Sequence, residues 1–197
     1  MKSISLSFLL LFGLSLSAQT NKPQTAIFAA GCFWCIQPPF DALKNQGVLS
    51  TRVGYTGGLK ASPQYEEVSS GTTGHLEAIE IQYDPAKISY RKLLEVFLLN
   101  VDPYDGRGQF CDKGQQYRAA VFYANEDQKK EYDQLLAELK LKKKLKGRVE
   151  IQVLAAKTFY GAEDYHQSYY LKNPERYKSY KLNCGREARL KEVWGHK

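Results

Sequence analysis

The order of apolar segments between residues 25 and 124 constrains the fold more than any other feature of this sequence. Apolar alternation or short apolar runs predict strands at 25–30, 47–58, 75–84 and 117–125, and helical spacing predicts helices at 33–45 and 89–100. The order strand, helix, strand, strand, helix, strand is the split βαβ pattern, in which two helices pack on one face of an antiparallel sheet. We therefore predict an α+β fold with a ferredoxin-like plait at its core.

The segments after residue 124 extend this layer. Asn125 is a plausible N-cap for an amphipathic helix over 125–144, and an apolar run predicts a further strand over 149–156. The remainder is an aromatic-rich tail, which we expect to be irregular. With no linker or repeat between them, residues 19–197 are predicted to form a single catalytic domain with an antiparallel or mixed sheet.

The N-terminus has the pattern of a secretory signal peptide. Lys2 precedes an apolar run from Ile4 to about Leu16, and small residues follow. The run is too short for a comfortable transmembrane span, so we predict cleavage near residue 18 and no stable membrane association. The mature protein is then secreted or periplasmic, where its four cysteines can oxidise.

The net charge of +7 is concentrated in a lysine-rich run within residues 139–148. Cations at the end of a helix complement its dipole, so a solvated helix end explains the run. The alternative is a basic surface for anionic lipids or nucleic acid. Proteins that bind single-stranded nucleic acid often interleave aromatic residues with basic ones, and this run has none, so we predict no nucleic-acid partner. We also expect the protein to be a monomer.

Cys32 directly follows a predicted strand and opens a predicted helix. Unpaired N–H groups at that helix terminus should lower the pKa of its thiol. Cys32 and Cys35 also have the spacing of a disulfide oxidoreductase, although a pair of this kind can equally hold a metal or pack in a core. His75, His166 and His196 are scattered along the chain, so we expect no metal site.

Two Gly-rich stretches lead directly into strands, and loops of this kind can converge on a thiol at a sheet edge. They span residues 54–80 and 106–123. Their polar side chains are candidate site residues, although each taken singly is also an ordinary loop or sheet-edge residue: Tyr65, Glu77, Asp112 and Tyr117.

Six motifs in order along residues 25–170 resemble the A-type peptide methionine sulfoxide reductases. Several separate loops agree, which makes the resemblance specific. The motifs are "GCFWC", "VGYTGG", "SPQYEEV", "GTTGHLEAIEIQYD", "VDPYDGRGQFCDKGQQYRAAVFY" and "FYGAEDYHQSYY".

The resemblance implies thiol-dependent reduction of methionine (S)-sulfoxide, free or in proteins, as a repair of oxidative damage. Cys32 would be the nucleophile that attacks the sulfoxide sulfur. Glu77 would protonate or polarise the sulfoxide oxygen, because an apolar pocket can keep a carboxyl group protonated at neutral pH. Tyr65 and Tyr117 would donate hydrogen bonds to that oxygen, and Asp112 would orient the polar side.

Phe33 and Trp34 would then hold the S-methyl group of the substrate, since contacts between sulfur and aromatic rings are favourable. His166 is expected to make a structural hydrogen bond. Nothing in the sequence resembles a nucleotide-binding loop, so we expect no cofactor and electrons from thioredoxin or another dithiol.

The resulting sulfenic acid on Cys32 must condense with a second thiol. We favour Cys184, in the mobile tail, as the resolving cysteine, with Cys35 as the alternative. Cys111 is expected to be a buried small side chain.

Two other functions compete with the reductase. A thioredoxin-like disulfide exchanger built on Cys32 and Cys35 leaves Glu77, Tyr65 and Tyr117 unexplained. A basic surface-binding module would bind anionic partners in a salt-sensitive way without needing Cys32.

Overall fold

The computed structural model describes residues 22–142 and 144–195, so the predicted signal peptide lies outside the described residues. The main sheet contains six strands: β1 (Gln24–Ala30), β2 (Val48–Thr56), β3 (Leu76–Tyr83), β6 (Ala119–Tyr123), β7 (Gln152–Ala155) and β8 (Tyr160–Gly161). Two short strands, β4 (Gly108–Gln109) and β5 (Asp112–Lys113), pair separately.

The spatial order of the main sheet is β7-β6-β1-β3-β2-β8. β1 pairs antiparallel with both β3 and β6, and β3 pairs antiparallel with β2. β7 runs parallel to β6 and β8 runs antiparallel to β2. The sheet is therefore mixed, and the predicted α+β class with an additional helix and strand is confirmed.

Seven helices accompany the sheet in the described residues: α1 (Phe33–Asp41), α2 (Tyr65–Ser69), α3 (Tyr90–Leu98), α4 (Glu126–Leu141), α5 (Tyr169–Lys172), α6 (Pro174–Asn183) and α7 (Arg186–Trp194). The Asn125 side chain accepts from the Gln128 N–H, so the predicted N-cap of α4 is confirmed. Within residues 22–142 and 144–195, every helix is too short or too polar to cross a bilayer.

The period of two along β1 divides the core between the two faces of the sheet. Phe28 points to the face covered by α1 and α3, where its ring stacks on Phe40 and Phe97 at centroid distances of 5.8 and 4.9 Å. Ile27 and Ala29 belong to a smaller cluster on the opposite face. The larger core fixes α1, and with it the residues at the start of that helix.

The prediction of an irregular tail was wrong, because the tail contains α5, α6 and α7. The physical reason is that α6 buries none of its residues, so it has no apolar stripe for a sequence pattern to reveal. The first Gly-rich stretch also contains a short helix, α2. The first helix also ends earlier than expected, at Asp41, and a separate 3₁₀ turn covers Lys44–Gln46.

Candidate active site

The turn between β1 and α1 places the Cys32 sulfur at one edge of the sheet. Gly31 has a φ of +76°, and a Cβ atom there would lie 2.6 Å from Cβ of Gln109. Only glycine is tolerated in that conformation and in that space. Cys32 is the N-cap of α1 and is 6% exposed, so its sulfur faces the interior.

A cavity of about 80 Å³ opens beside this sulfur. As predicted, both Gly-rich stretches contribute to it, since Tyr65 and Glu77 come from the first and Asp112 and Tyr117 from the second. The full lining comprises Cys32, Phe33, Trp34, Tyr65, Glu77, Asp112, Tyr117 and Tyr180. Tyr180 is the member that the sequence analysis missed.

Glu77 is a buried carboxyl group beside the nucleophile. It is 2% exposed, and its Oε2 accepts a 3.0 Å hydrogen bond from the Phe33 N–H. Burial raises the pKa of Glu77 to about 8, and the nearby charge of Asp112 adds to the shift. At neutral pH Glu77 is therefore mostly protonated and can donate a proton into the cavity.

Three tyrosine hydroxyls line the polar side of the cavity. Burial raises the pKa of Tyr65 to about 12 and raises the pKa values of Tyr117 and Tyr180 above their ordinary range, so all three remain hydrogen-bond donors. The Tyr180 hydroxyl donates to Oδ2 of Asp112 and is also within hydrogen-bond reach of the Cys32 sulfur. α6 therefore supplies a donor that no sequence pattern indicated.

Phe33 and Trp34 form the apolar wall, and the tail holds Trp34 in place. Its indole ring stacks on Tyr169 with the centroids 3.8 Å apart, and its Nε1–H donates a 2.9 Å hydrogen bond to Nδ1 of His166. The predicted structural hydrogen bond of His166 is thus confirmed, and its partner is the aromatic wall.

Glu163 is a second residue whose role the sequence analysis missed. Its carboxylate accepts hydrogen bonds from the Tyr55 hydroxyl at 2.8 Å and from the Tyr65 N–H at 2.9 Å. Because Tyr65 is the first residue of α2, Glu163 fixes the start of the helix that carries this donor. Glu163 therefore positions Tyr65.

The cysteines are arranged differently from the expectation. Cys111 is exposed and forms a disulfide with Cys184 across a sequence separation of 73, so the expectation of a buried Cys111 was wrong. Cys32 and Cys35 are free and buried. In this state Cys35 is available beside Cys32, whereas Cys184 becomes available only after its bond to Cys111 is reduced.

The thiols of Cys32 and Cys35 interact, and their pKa values shift in opposite directions. Burial raises the pKa of Cys32, with further contributions from Cys35 and Glu77. The interaction with Cys32 lowers the pKa of Cys35, and the charge of Arg186 contributes in the same direction. The expectation of a lowered pKa for Cys32 was wrong, because burial outweighs the helix terminus; Cys35 is the thiol that ionises first.

One cluster has the residue types of a metal site. Ligand atoms of Cys111, Asp112 and Cys184 lie within 4.8 Å of one another. The two sulfur atoms are joined in the disulfide, so they do not act as thiolate ligands in this state.

Comparison with known proteins places the chain in a family. The family model described as peptide methionine sulfoxide reductase matches residues 24–197. The chain belongs to this family. The peptide methionine sulfoxide reductase MsrA of Bacillus licheniformis is 46% identical over 177 residues, which are 90% of this chain and 97% of that protein.

Solved structures of the yeast protein Mxr1, from Saccharomyces cerevisiae, are also similar. Its reduced form is 30% identical, with a TM-score of 0.72, over 78% of this chain and 87% of that chain. Mxr1 in complex with Trx2 is 20% identical in the aligned region, with a TM-score of 0.53, over 79% of this chain and 91% of that chain. The latter likeness concerns the fold alone.

Proposed function

We propose that this reductase converts methionine (S)-sulfoxide, free or in oxidised proteins, to methionine by attack of the Cys32 sulfur. The observation that carries the proposal is that Cys32 and the protonated Glu77 line the same small cavity. A sulfoxide sulfur is a poor electrophile until its oxygen is protonated, and this geometry offers a nucleophile and an acid together.

In the first step the S-methyl group lies against Phe33 and Trp34, which leaves the sulfoxide oxygen facing Glu77 and the tyrosine hydroxyls. The Cys32 proton passes to Cys35 as the Cys32 sulfur attacks the substrate sulfur. Glu77 protonates the sulfoxide oxygen. The proton that Cys35 took from Cys32 later passes to Glu77 and restores its carboxyl group. The oxygen ends on Cys32 as a sulfenic acid, and methionine leaves.

In the second step we infer that Cys35 resolves the sulfenic acid, because it is free and lies one helical turn from Cys32, where its backbone N–H donates to the Cys32 carbonyl oxygen at 3.1 Å. Its thiolate attacks the sulfur of the sulfenic acid and the reprotonated Glu77 donates a proton to the leaving hydroxyl group, so a Cys32–Cys35 disulfide forms and one water is released. Cys184 remains the alternative, since it can act once the Cys111–Cys184 bond has been reduced.

A protein dithiol of the thioredoxin kind is the proposed reductant for the Cys32–Cys35 disulfide. The complex of yeast Mxr1 with Trx2 supports this choice, because the reduced form of the same yeast protein is 30% identical to this chain. We propose no bound cofactor, since thiol–disulfide exchange supplies both electrons.

Two further proposals complete the account. The N-terminal pattern over residues 1–18 supports export to the periplasm or the medium, where the protein would act as a monomer on oxidised proteins.

The antiparallel order β6-β1-β3-β2 supports a ferredoxin-like plait within the larger sheet.

The test of the chemistry is consumption of each epimer of a blocked methionine sulfoxide with dithiothreitol as reductant. We expect the wild type to consume only the S epimer. Cys32→Ser should be inactive and Glu77→Gln should be strongly slowed, whereas the matched control Glu80→Gln, on the same strand, should retain the wild-type rate. Turnover by Cys32→Ser would refute the assignment of the nucleophile.

The resolving cysteine is tested by peptide mapping after one turnover of the pre-reduced wild type. A Cys32–Cys35 disulfide is the expected product. A Cys32–Cys184 disulfide would assign resolution to the tail instead.

A further inference from the structure

A second cavity, of about 420 Å³, lies on the other side of the cysteine pair. It is bounded by α1, α6 and α7, and its lining includes Cys35, whereas Cys32 lines the substrate cavity. Its volume falls within the usual range for small-molecule sites. The two coupled thiols therefore face two different cavities.

Arg186, in the wall of this second cavity, is buried with part of its guanidinium unsatisfied. The residue is 3% exposed, and its Nη2 donates to the carbonyl oxygens of Asn100 at 2.6 Å and Ala30 at 3.3 Å. Its Nη1 has no hydrogen-bond partner among the described residues. Buried donors are rarely left unpaired, and the planar guanidinium matches the geometry of a carboxylate.

The charges around the second cavity also favour an anion. Lys181 and Lys191 line it together with Arg186, and Glu187 is the carboxylate in the same wall. Glu187 pairs with Lys181 at 2.8 Å, and within residues 22–142 and 144–195 Lys191 takes part in no ion pair. Three cations facing one carboxylate create a positive potential in the cavity.

Together these observations describe a site that holds an anionic molecule next to a sulfur atom. We propose that the second cavity binds a small thiol carrying carboxylates and presents its sulfur to Cys35. Because Cys35 is only 5% exposed, a small molecule reaches it more readily than the cysteine of a folded partner. The site deepens the proposed function, on which it rests, since it supplies a further electron donor for the Cys32–Cys35 disulfide.

The exchange balances with two molecules of the thiol. The thiolate of the first attacks the Cys35 sulfur, so a mixed disulfide forms and the Cys32 sulfur leaves as a thiolate that takes up a proton. The second molecule attacks the sulfur of the bound small thiol, which releases Cys35 and forms the small-molecule disulfide. The two small thiols lose two electrons in total and the cysteine pair gains them.

Binding is tested without any reaction by titrating the reduced full-length protein with S-methylglutathione in a calorimeter. This probe has both carboxylates of glutathione and a blocked sulfur. We expect it to bind the wild type, with the Kd raised at least threefold in Lys191→Gln. The matched control Lys178→Gln, an exposed lysine of α6 that does not line the cavity, should keep the wild-type Kd.

Failure of S-methylglutathione to bind, equal binding of its diethyl ester, which lacks both carboxylates, or an unchanged Kd in Lys191→Gln would each overturn the proposal. A sulfoxide reductase that does not bind the probe would contradict this inference alone. A protein that binds the probe but leaves the sulfoxide unreduced would contradict the proposed function alone.

The exchange step is tested on a Cys32–Cys35 disulfide made with diamide, which removes any dependence on the sulfoxide reaction. Glutathione should reduce this disulfide about tenfold faster than its diethyl ester does, and Lys191→Gln should lose most of that preference. Peptide mapping of the quenched reaction should find glutathione on Cys35. Equal rates for the two thiols, or glutathione on Cys32, would overturn the proposal.

Discussion

Because Glu77 is a buried carboxyl group, we predict how strongly the free energy of unfolding depends on pH. Burial raises its pKa from an ordinary value of 4.5 to about 8, so between these values the folded protein retains a proton that the unfolded chain has lost. Unfolding then releases a proton, and the free energy of unfolding falls as pH rises. At about 1.4 kcal/mol per pH unit, the loss contributed by Glu77 is about 5 kcal/mol once the pH exceeds 8.

Glu77→Gln removes this titration and keeps the shape of the side chain. The difference in free energy of unfolding, wild type minus Glu77→Gln, should fall by about 4 kcal/mol between pH 4.5 and pH 9. Urea denaturation at several pH values, followed by tryptophan fluorescence, measures it. Other groups titrate in both proteins, so they largely cancel in the difference.

Glu80→Gln is the matched control, because Glu80 lies on the same strand in an ion pair with Arg52 near the surface. Its difference from wild type should change by at most about 1 kcal/mol over the same range. A pH-independent difference between wild type and Glu77→Gln would show that the pKa of Glu77 is no higher in the folded protein than in the unfolded chain. Its role as the acid would then be refuted.

Three further predictions concern the same site and the tail. The rate of a single turnover of wild type should fall as pH rises through about 8, because Glu77 loses its proton, and a stopped-flow rate that stays level would contradict this. Tyr180→Phe removes the hydroxyl group that donates to Asp112. The single-turnover rate of this variant should therefore fall about a hundredfold while its circular dichroism spectrum stays unchanged. An unchanged rate would exclude Tyr180 from the chemistry. Cys111→Ser opens a loop of sequence separation 73, which should lower the free energy of unfolding by about 4 kcal/mol in non-reducing urea titrations. Equal stability of this variant and wild type would show that the bond does not form in solution.

The main strands and helices along residues 25–124 and the position of Cys32 before the first helix were predictable because both depend on local pattern. The period of two in β1, the glycine at 31 and the helical spacing after it are all visible in neighbouring residues. The convergence of the two Gly-rich stretches followed from the same order, since both stretches lead into strands of one sheet.

Tyr180 could not be predicted, because its contacts depend on a helix that buries none of its residues. Its partner Asp112 is 68 residues away in the sequence. The pairing of Cys111 with Cys184 is equally non-local, and four cysteines allow three pairings in the absence of a structure.

The pKa of Cys32 was predicted wrongly for a related reason. A sequence shows that a thiol opens a helix, which lowers its pKa, but it does not show how deeply the thiol is buried. In the structure, burial raises the pKa of Cys32 by more than the helix terminus lowers it, so Cys35 is the thiol that ionises first. The coupled pair explains why two cysteines flank the aromatic wall.

The most direct test of the account is a single turnover of Cys35→Ser, with the Cys111–Cys184 disulfide left intact, on each epimer of a blocked methionine sulfoxide. With its neighbouring thiol removed, the Cys32 sulfenic acid should persist. Intact mass should show a gain of one oxygen atom with the S epimer only, peptide mapping should place that atom on Cys32, and one equivalent of the methionine product should appear. Methionine formed without oxygen on Cys32, or equal reaction of both epimers, would contradict attack by Cys32 in this cavity.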